Sequence, residues 1–539
     1  MKRVLLGCFV LLFIAPAFSQ RSIDVLHYKY EISLSDTTDN IYGIATIYFK
    51  ANEPAEFLEL DLTKINGIGK GMKITDLNTM EALDIRITAS PLLIEYLHEN
   101  DKVKIKLPKK LLPGENDTIT IEYKGIPGDG LIISKNKYGN RTFFSDNWPN
   151  RAHNWIPCVD DPADKATVEF IITAPSHYQV ISNGMQVEET NLFNNKKLTH
   201  YREDVPLPTK VMVIGVADFA VNNVGDVNCV PVSTWVYPEN KKEGFYDYAI
   251  GKEILAWYIN YIGPFPYKKL ANVQSKTIFG GMENAGAIFY FENSVTGKRE
   301  EEALIAHEIV HQWFGDMATE KSFAHLWLSE GFATYLTHVY LESKYGTDSL
   351  NSRMKADRET VIDFVNSSQK RVVDFSPDYM QLLNANSYQK GGWVLHMLRR
   401  QLGDSVFHKA IRQYYATYAG KNADSKDLQT IFETISGKNL NVFFDQWLHT
   451  PENPKLNITW KYQAKEKSVA ITVEQLQNKI FEFPLEIAIG VTSAKKQIKK
   501  INVTKKVETF YFPVSSSSIS ISVDPNTSLL FQGTLAATK

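Results

Sequence analysis

The hydrophobic period of this chain changes twice along its length. From residue 23 to about 220, apolar and polar residues alternate in short stretches such as Ile44-Ala45-Thr46-Ile47-Tyr48-Phe49 and Ile119-Thr120-Ile121-Glu122-Tyr123. A period of two, broken by Pro, Gly and Asn, predicts β-strands with one buried face. Near Gly244 the spacing lengthens to that of helices, over residues 251–258 and 301–314 and again through Leu395, Leu398 and Leu402. After Pro451 and Pro454 the alternation returns, in Leu456-Asn457-Ile458-Thr459-Trp460 and Val469-Ala470-Ile471-Thr472-Val473. Those last short strands predict a small β-sandwich. At 539 residues the chain exceeds the roughly 250–300 residues at which one core stops growing, so it divides. The predicted body is multidomain α+β: an N-terminal antiparallel β domain over residues 20–225, a mainly α domain over 226–453 and a C-terminal β-sandwich over 454–539.

Composition narrows the function. Apolar residues make up 44% and charged residues 22%, as in ordinary globular chains, so neither disorder nor a fibrous repeat is expected. A net charge of -2, without a long Lys/Arg run, lacks the attraction that a polyanion binder needs, so nucleic acid is not an expected partner. Lys2 and Arg3 precede an apolar run from Val4 to Ala15, and Ala17-Phe18-Ser19 follows, the pattern of a signal peptide cleaved after Ser19. The run is shorter than the roughly 20 residues that span a bilayer, so the expectation is a secreted or periplasmic protein without a stable membrane span. Leu5-Leu6-Gly7-Cys8 has the outline of a lipoprotein cleavage site, but the apolar run continues past Cys8, which argues against lipid anchoring. Cleavage leaves Cys158 and Cys229, which fit either one disulfide or two inert buried thiols.

The strongest local motif is His307-Glu308-Ile309-Val310-His311, in a stretch with helical spacing. A separation of four puts both imidazoles on one face, one turn apart, where they can hold one metal ion. Glu308 stands beside them, free to take a proton from metal-activated water. The motif also occurs by chance in unrelated helices, so a third ligand has to be found. Glu330 follows His311 with 18 residues between, in Trp327-Leu328-Ser329-Glu330-Gly331-Phe332-Ala333. That gap lets the chain turn and lay a second helix against the first. A carboxylate among apolar neighbours is costly to bury unless a cation neutralises it, which a zinc ion would do. The predicted cofactor is one Zn2+ per chain, held by His307, His311 and Glu330.

Upstream lies Phe279-Gly280-Gly281-Met282-Glu283-Asn284-Ala285-Gly286. Its glycines permit close backbone approach, so the segment can line a cleft and pair with substrate backbone. Glu283 then offers a carboxylate to a protonated α-amino group. Read alone, the segment is equally a glycine-rich turn with a surface Glu.

Taken together, Gly280, Gly281, Met282, Glu283 and Asn284, the His307 to His311 motif and Glu330 resemble, in order and spacing, the aminopeptidase N family of zinc peptidases, which includes leukotriene hydrolase. Gly263-Pro264-Phe265-Pro266-Tyr267-Lys268 resembles the family's entry to its catalytic domain. Pro157-Cys158-Val159-Asp160-Asp161-Pro162 and Lys165-Ala166-Thr167 resemble a signature of its N-terminal β domain, and Tyr388-Gln389-Lys390-Gly391-Gly392 the stretch with its catalytic tyrosine. The resemblance implies a thermolysin-like catalytic domain, peptides with a free N-terminus as substrates, Glu308 as general base and Tyr388 as oxyanion donor. It also implies substrate binding by the 280–284 segment. The large helical C-terminal domain of longer relatives is not in this sequence, which implies a more open cleft. Family members often place a Gln or Glu ahead of the Pro-Cys signature, where counting back from Pro157 puts Asp146 or Trp148; Asp146 is the candidate anion for the substrate amine. Asp316 and Thr334 lie near the ligands in sequence and are candidates to orient a histidine. Two other readings stay open: a thermolysin-like endopeptidase, which would cleave N-acetylated peptides, and a catalytically silent peptide-binding protein on the same scaffold.

Overall fold

The computed structural model describes residues 21–79, 94–491 and 496–538. The predicted leader lies outside the described residues. Among them, no helix is long and apolar enough to cross a membrane.

The strand Ile23–Ser33 buries Tyr28, Tyr30 and Ile32 and turns Lys29 and Glu31 outward, as the two-residue repeat requires. It lies in the middle of a seven-stranded sheet, between Ile41–Ala51 and Lys165–Pro175. Its pairing with Lys165–Pro175 is parallel, an exception in an otherwise antiparallel sheet. Parallel neighbours need a long connection, and here the chain builds further strands before it returns. That return carries Lys165 to the boundary with the helical domain.

The next part begins with a five-stranded mixed sheet ordered Ala220–Val227, Val230–Val236, Leu270–Ser275, Ala287–Phe291, Gly281–Met282. Every residue of Leu270–Ser275 is buried, because the strand is covered on both faces. Such a strand shows no alternation, which is why this region reads as mainly helical from sequence. Helices Lys241–Tyr248, Gly251–Tyr261 and Glu302–His311 pack against the sheet, and Trp327–Tyr345, Thr347–Ser368 and Gly391–Leu402 pack in turn on Glu302–His311 and on one another. Trp327–Tyr345 stops at Gly346, whose φ of 86° a side-chain-bearing residue rarely adopts, and Thr347–Ser368 starts immediately after in a new direction.

The C-terminal sandwich faces a four-stranded sheet with a three-stranded one. Its core is continuous with that of the helical domain, since Leu456, Phe481, Leu529 and Leu530 pack in the same cluster as Trp393 and Trp447. Polar clamps add to this: His396 Nε2 donates to the Thr527 carbonyl at 2.8 Å, and Arg358 pairs with the buried Asp524. The two cysteines do not pair. Cys158 is buried, whereas Cys229 is exposed in a tight turn at φ 65°, so the disulfide alternative fails and one of the two thiols is not inert by burial.

Candidate active site

Helix Glu302–His311 turns Ile305, Ala306 and Ile309 into the core and its His307, Glu308 and His311 toward a cavity of about 430 Å³. Trp327–Tyr345 runs antiparallel beside it, with Ser329 against His311 at one end and Tyr340 bonded to Glu302 at the other. This pairing delivers Glu330 to the two imidazoles. His307 Nε2 and His311 Nε2 are 3.1 Å apart and stand 3.3 and 3.4 Å from Glu330 Oε2. Tetrahedral zinc with bonds of about 2.0–2.2 Å sets its ligands roughly 3.3 Å apart, so the three separations fit one ion.

The hydrogen-bonding partners behind the trio agree with that fit. His311 Nδ1 faces the Phe314 carbonyl at 3.1 Å, and a carbonyl only accepts. Nδ1 therefore carries the proton and Nε2 turns its lone pair to the centre. Burial alone would depress the His311 pKa, yet Glu330, Glu283 and Glu308 lift it to about 10. The pocket demands positive charge, which a divalent cation supplies.

Glu308 owes its position to a glycine. A Cβ on Gly281 would stand 2.3 Å from Glu308 Oε1, so the bare backbone of the edge strand leaves room for the carboxylate. The same strand leads to Glu283, which is almost fully buried at the cavity wall and whose Oε1 has no hydrogen-bond partner among the described residues. Gln312, the residue after His311, fastens this segment: its Nε2 donates to the Glu283 carbonyl at 2.6 Å and its Oε1 accepts from Gly286 N at 2.7 Å. Burial raises the Glu283 pKa, with His311 and Lys210 opposing. A buried carboxylate oxygen left unbonded is costly, and an ammonium ion would satisfy it.

Tyr388 sits in Asn386–Lys390, a turn of π-helix in which Lys390 N reaches the Ala385 carbonyl at 2.8 Å. Such turns occur mostly as single bulges within helices, and frequently at functional sites. Asn386 Nδ2 anchors it to the carbonyls of Lys370 and Arg371 at 2.8 and 3.1 Å. The Tyr388 ring stacks on His307, with centroids 6.0 Å apart. Burial, with Glu330, Glu283 and Glu308 nearby, pushes its pKa well above the phenol range, so the hydroxyl remains a donor.

Two family profiles match the chain. The peptidase M1 N-terminal domain covers residues 25–211, and the peptidase family M1 domain covers residues 246–447. The chain belongs to the aminopeptidase N family of zinc peptidases. It is 26% identical over 462 residues to aminopeptidase M1-C of Oryza sativa subsp. japonica, across 80% of this chain and 50% of that protein. A probable aminopeptidase 2 of Sulfurisphaera tokodaii is 29% identical over 355 residues, across 61% of this chain and 44% of its own. Leucyl aminopeptidase of Saccharolobus solfataricus is 25% identical over 389 residues, across 68% and 48%. The chain spans about half the length of these curated relatives.

Within the aminopeptidase N fold, the structure brings His307, Glu308, His311, Glu330, Tyr388, Gly280, Gly281, Met282 and Glu283 to one cavity. It does not bring Asp146 there. That carboxylate is fully buried behind the wall, where Oδ1 accepts from Arg151 Nη2 at 2.6 Å and Oδ2 from Thr277 Oγ1 and Ile278 N at 3.0 Å each. With both oxygens engaged it braces the approach to Phe279 and cannot also receive an amine. Trp148, the other position reached by counting back from Pro157, is the one in the wall. Asn284 is likewise fully buried outside the cavity, so it does not touch substrate there. Asp316 orients no histidine: its Oδ2 accepts from Gln312 at 3.0 Å, and the His311 partners are Phe314 O and Ser329 Oγ. Thr334 lines the cavity and packs near Gly392 without bonding a histidine.

The family signature in the β domain also has a physical use. Lys165 Nζ crosses to the carbonyls of Asp316 and Met317 at 3.2 and 2.8 Å, and the fully buried Lys210 pairs with Glu320. Lys210 thus sets a positive charge behind Glu283 from the neighbouring domain and opposes the rise in its pKa. Gln312, Ser329 and Lys210 belong to none of the motifs above as functional residues; the first two, adjacent to the histidine motif and to Glu330, carry a positional hint, and Lys210 carries none.

Proposed function

We propose that this chain is a zinc-dependent aminopeptidase that removes the first residue from peptides with a free N-terminus. The observation that carries the reading is the unpartnered, buried oxygen of Glu283 in the same cavity as the metal-binding trio. The trio accounts for hydrolysis, and Glu283 for the place in the peptide where it happens.

A zinc ion held by His307, His311 and Glu330 supplies Lewis acidity toward a carbonyl and toward water. Glu308 takes a proton from the attacking water as the new C–O bond forms, then gives it to the leaving nitrogen as the C–N bond breaks. Its burial raises the carboxyl pKa well above the ordinary value, which makes Glu308 a stronger base than an exposed glutamate. Tyr388 keeps its proton and donates to the oxyanion that develops on the substrate. Glu283 receives the α-ammonium, so the first carbonyl alone comes opposite the trio. The apolar leader over residues 1–19 fits export to a periplasm or the medium.

The test is turnover of a panel of aminoacyl-arylamides with and without a chelator, beside their N-acetylated counterparts. Free-amine substrates should be cleaved, with activity lost on chelation and restored by Zn2+. Cleavage of the acetylated substrates at a similar rate would make the protein an endopeptidase, and no cleavage of either would make it a binding protein. N-terminal sequencing of the mature protein tests export, and an intact Met1 in the exported fraction would oppose it.

A further inference from the structure

One end of the cavity takes no part in the reaction above. Thr334, Thr337 and His338 line it from the face of the Trp327–Tyr345 helix that also carries Glu330. At 1.5 Å per residue, His338 lies about 12 Å along the axis from Glu330. The Thr347–Ser368 helix faces this end with Arg353 and Asp357, one turn apart. Asp357 Oδ2 accepts from His338 Nε2 at 2.8 Å, so it is engaged; His338 Nδ1 is buried with no partner among the described residues.

Arg353 is different. It is half-buried in the cavity wall, yet among the described residues it has no ion pair and no side-chain hydrogen bond. Arg141, Arg151, Arg358 and Arg399 are half-buried too, and each pairs with a carboxylate of the chain. A guanidinium drawn partly out of water and left unpaired is set for an external anion.

The two charged ends lie on opposite sides of the metal trio. Glu283 is fastened next to His311, at the C-terminal end of the first helix, through Gln312. His338 lies toward the opposite end of that helix, where its neighbour Tyr340 bonds Glu302 at 2.8 Å. With the amine at Glu283 and the first carbonyl at the trio, the remaining residues must run toward Arg353. An extended peptide advances about 3.3 Å per residue, so some 12 Å corresponds to three or four residues.

We propose that Arg353 binds a carboxylate on the leaving-group side of the substrate, which makes short peptides with a free C-terminus, or with an acidic residue at that depth, the favoured class. His338 Nδ1 accepts a peptide N–H on the way. This inference rests on the aminopeptidase reading and adds the substrate class to it.

The experiment compares kcat/KM of the full-length protein for Leu-Ala-Ala-Ala as free acid and as C-terminal amide. The free acid should win by about tenfold or more, the worth of a charge-assisted hydrogen bond. Arg353→Gln should level the two, and Arg353→Glu should favour the amide. Leucyl-arylamide, which has no such carboxylate, should turn over equally in all three proteins, and this also shows that the variants fold. Amidated Leu-Ala-Asp-Ala against amidated Leu-Ala-Asn-Ala separates a side-chain carboxylate from a terminal one. Equal rates for acid and amide, together with equal rates for Asp and Asn peptides, would overturn the proposal while leaving the aminopeptidase reading standing. Failure of the wild type to cleave the arylamide would remove both.

Discussion

Gly331 and Gly391 meet backbone to backbone: a Cβ on Gly331 would come within 2.8 Å of the Gly391 Cα, and one on Gly391 within 2.9 Å of the Gly331 Cα. The first follows Glu330 directly, and the second ends the π-turn that carries Tyr388. The contact therefore sets the separation of Glu330, the proposed metal ligand, and Tyr388, the proposed oxyanion donor. Gly331→Ala must push the two helices apart, since backbone atoms cannot swing away as a side chain does. A displacement near 1 Å can cost about a hundredfold in rate, so kcat/KM should fall by that order while the far-ultraviolet circular dichroism stays native. Wild-type turnover in this variant would show that the crossing does not govern the site.

Gly281 and Glu308 make a second tight pair, with 2.3 Å between the Glu308 Oε1 and a Cβ added at Gly281. Gly281→Ala forces the carboxylate aside and, if Glu308 is the general base proposed above, should imitate its removal. Both Gly281→Ala and Glu308→Gln are expected to retain near one zinc per chain and to lose about 10²–10⁴-fold in kcat, the usual worth of a general base. Metal analysis beside steady-state kinetics checks this; a Gly281→Ala enzyme of normal kcat would mean that Glu308 need not sit where it does.

How far the sequence reached depends on how local each relationship is. His307 and His311 are one helical turn apart, so their convergence follows from helix geometry alone. Glu330 required a second helix, but its apolar surroundings marked it as a carboxylate that needs a cation. Asp146 was misplaced because counting along a loop says nothing of which way a side chain points; Arg151, five residues on, takes its Oδ1, and Thr277 with Ile278 takes its Oδ2. Leu270–Ser275 was missed as a strand because burial on both faces erases alternation. The Gly331–Gly391 contact joins helices far apart in the chain, so no local pattern could signal it.

Glu283 should act on binding of the amine more than on chemistry. Its Oε1 has no partner of its own, so Glu283→Gln removes charge while leaving the Gln312 bond to the backbone carbonyl intact. Loss of a charge-assisted hydrogen bond is worth about 1.5–3 kcal/mol, or roughly 10–100-fold, which should appear mainly as a higher KM for free-amine substrates. A variant whose KM does not move would separate Glu283 from recognition of the N-terminus.

Lys390 gives a prediction about stability. It is fully buried beside Gly391, its Nζ reaches only the Glu452 carbonyl at 3.3 Å among the described residues, and burial lowers its pKa to about 7. In the unfolded chain the same amine titrates near 10.4. Between those two values the unfolded state holds more protons than the folded one, so the contribution of this residue to stability rises with pH across that window. Below about pH 7 both states are charged and the folded state bears the full cost of a buried ammonium. Lys390→Met removes the charge and keeps the length of the side chain. Its melting temperature should therefore exceed that of the wild type at pH 6, with the gap narrowing steadily toward pH 9. Scanning calorimetry or thermal circular dichroism at several pH values reads this directly. A gap that stays constant with pH would mean that Lys390 is as easily protonated in the folded chain as in the unfolded one.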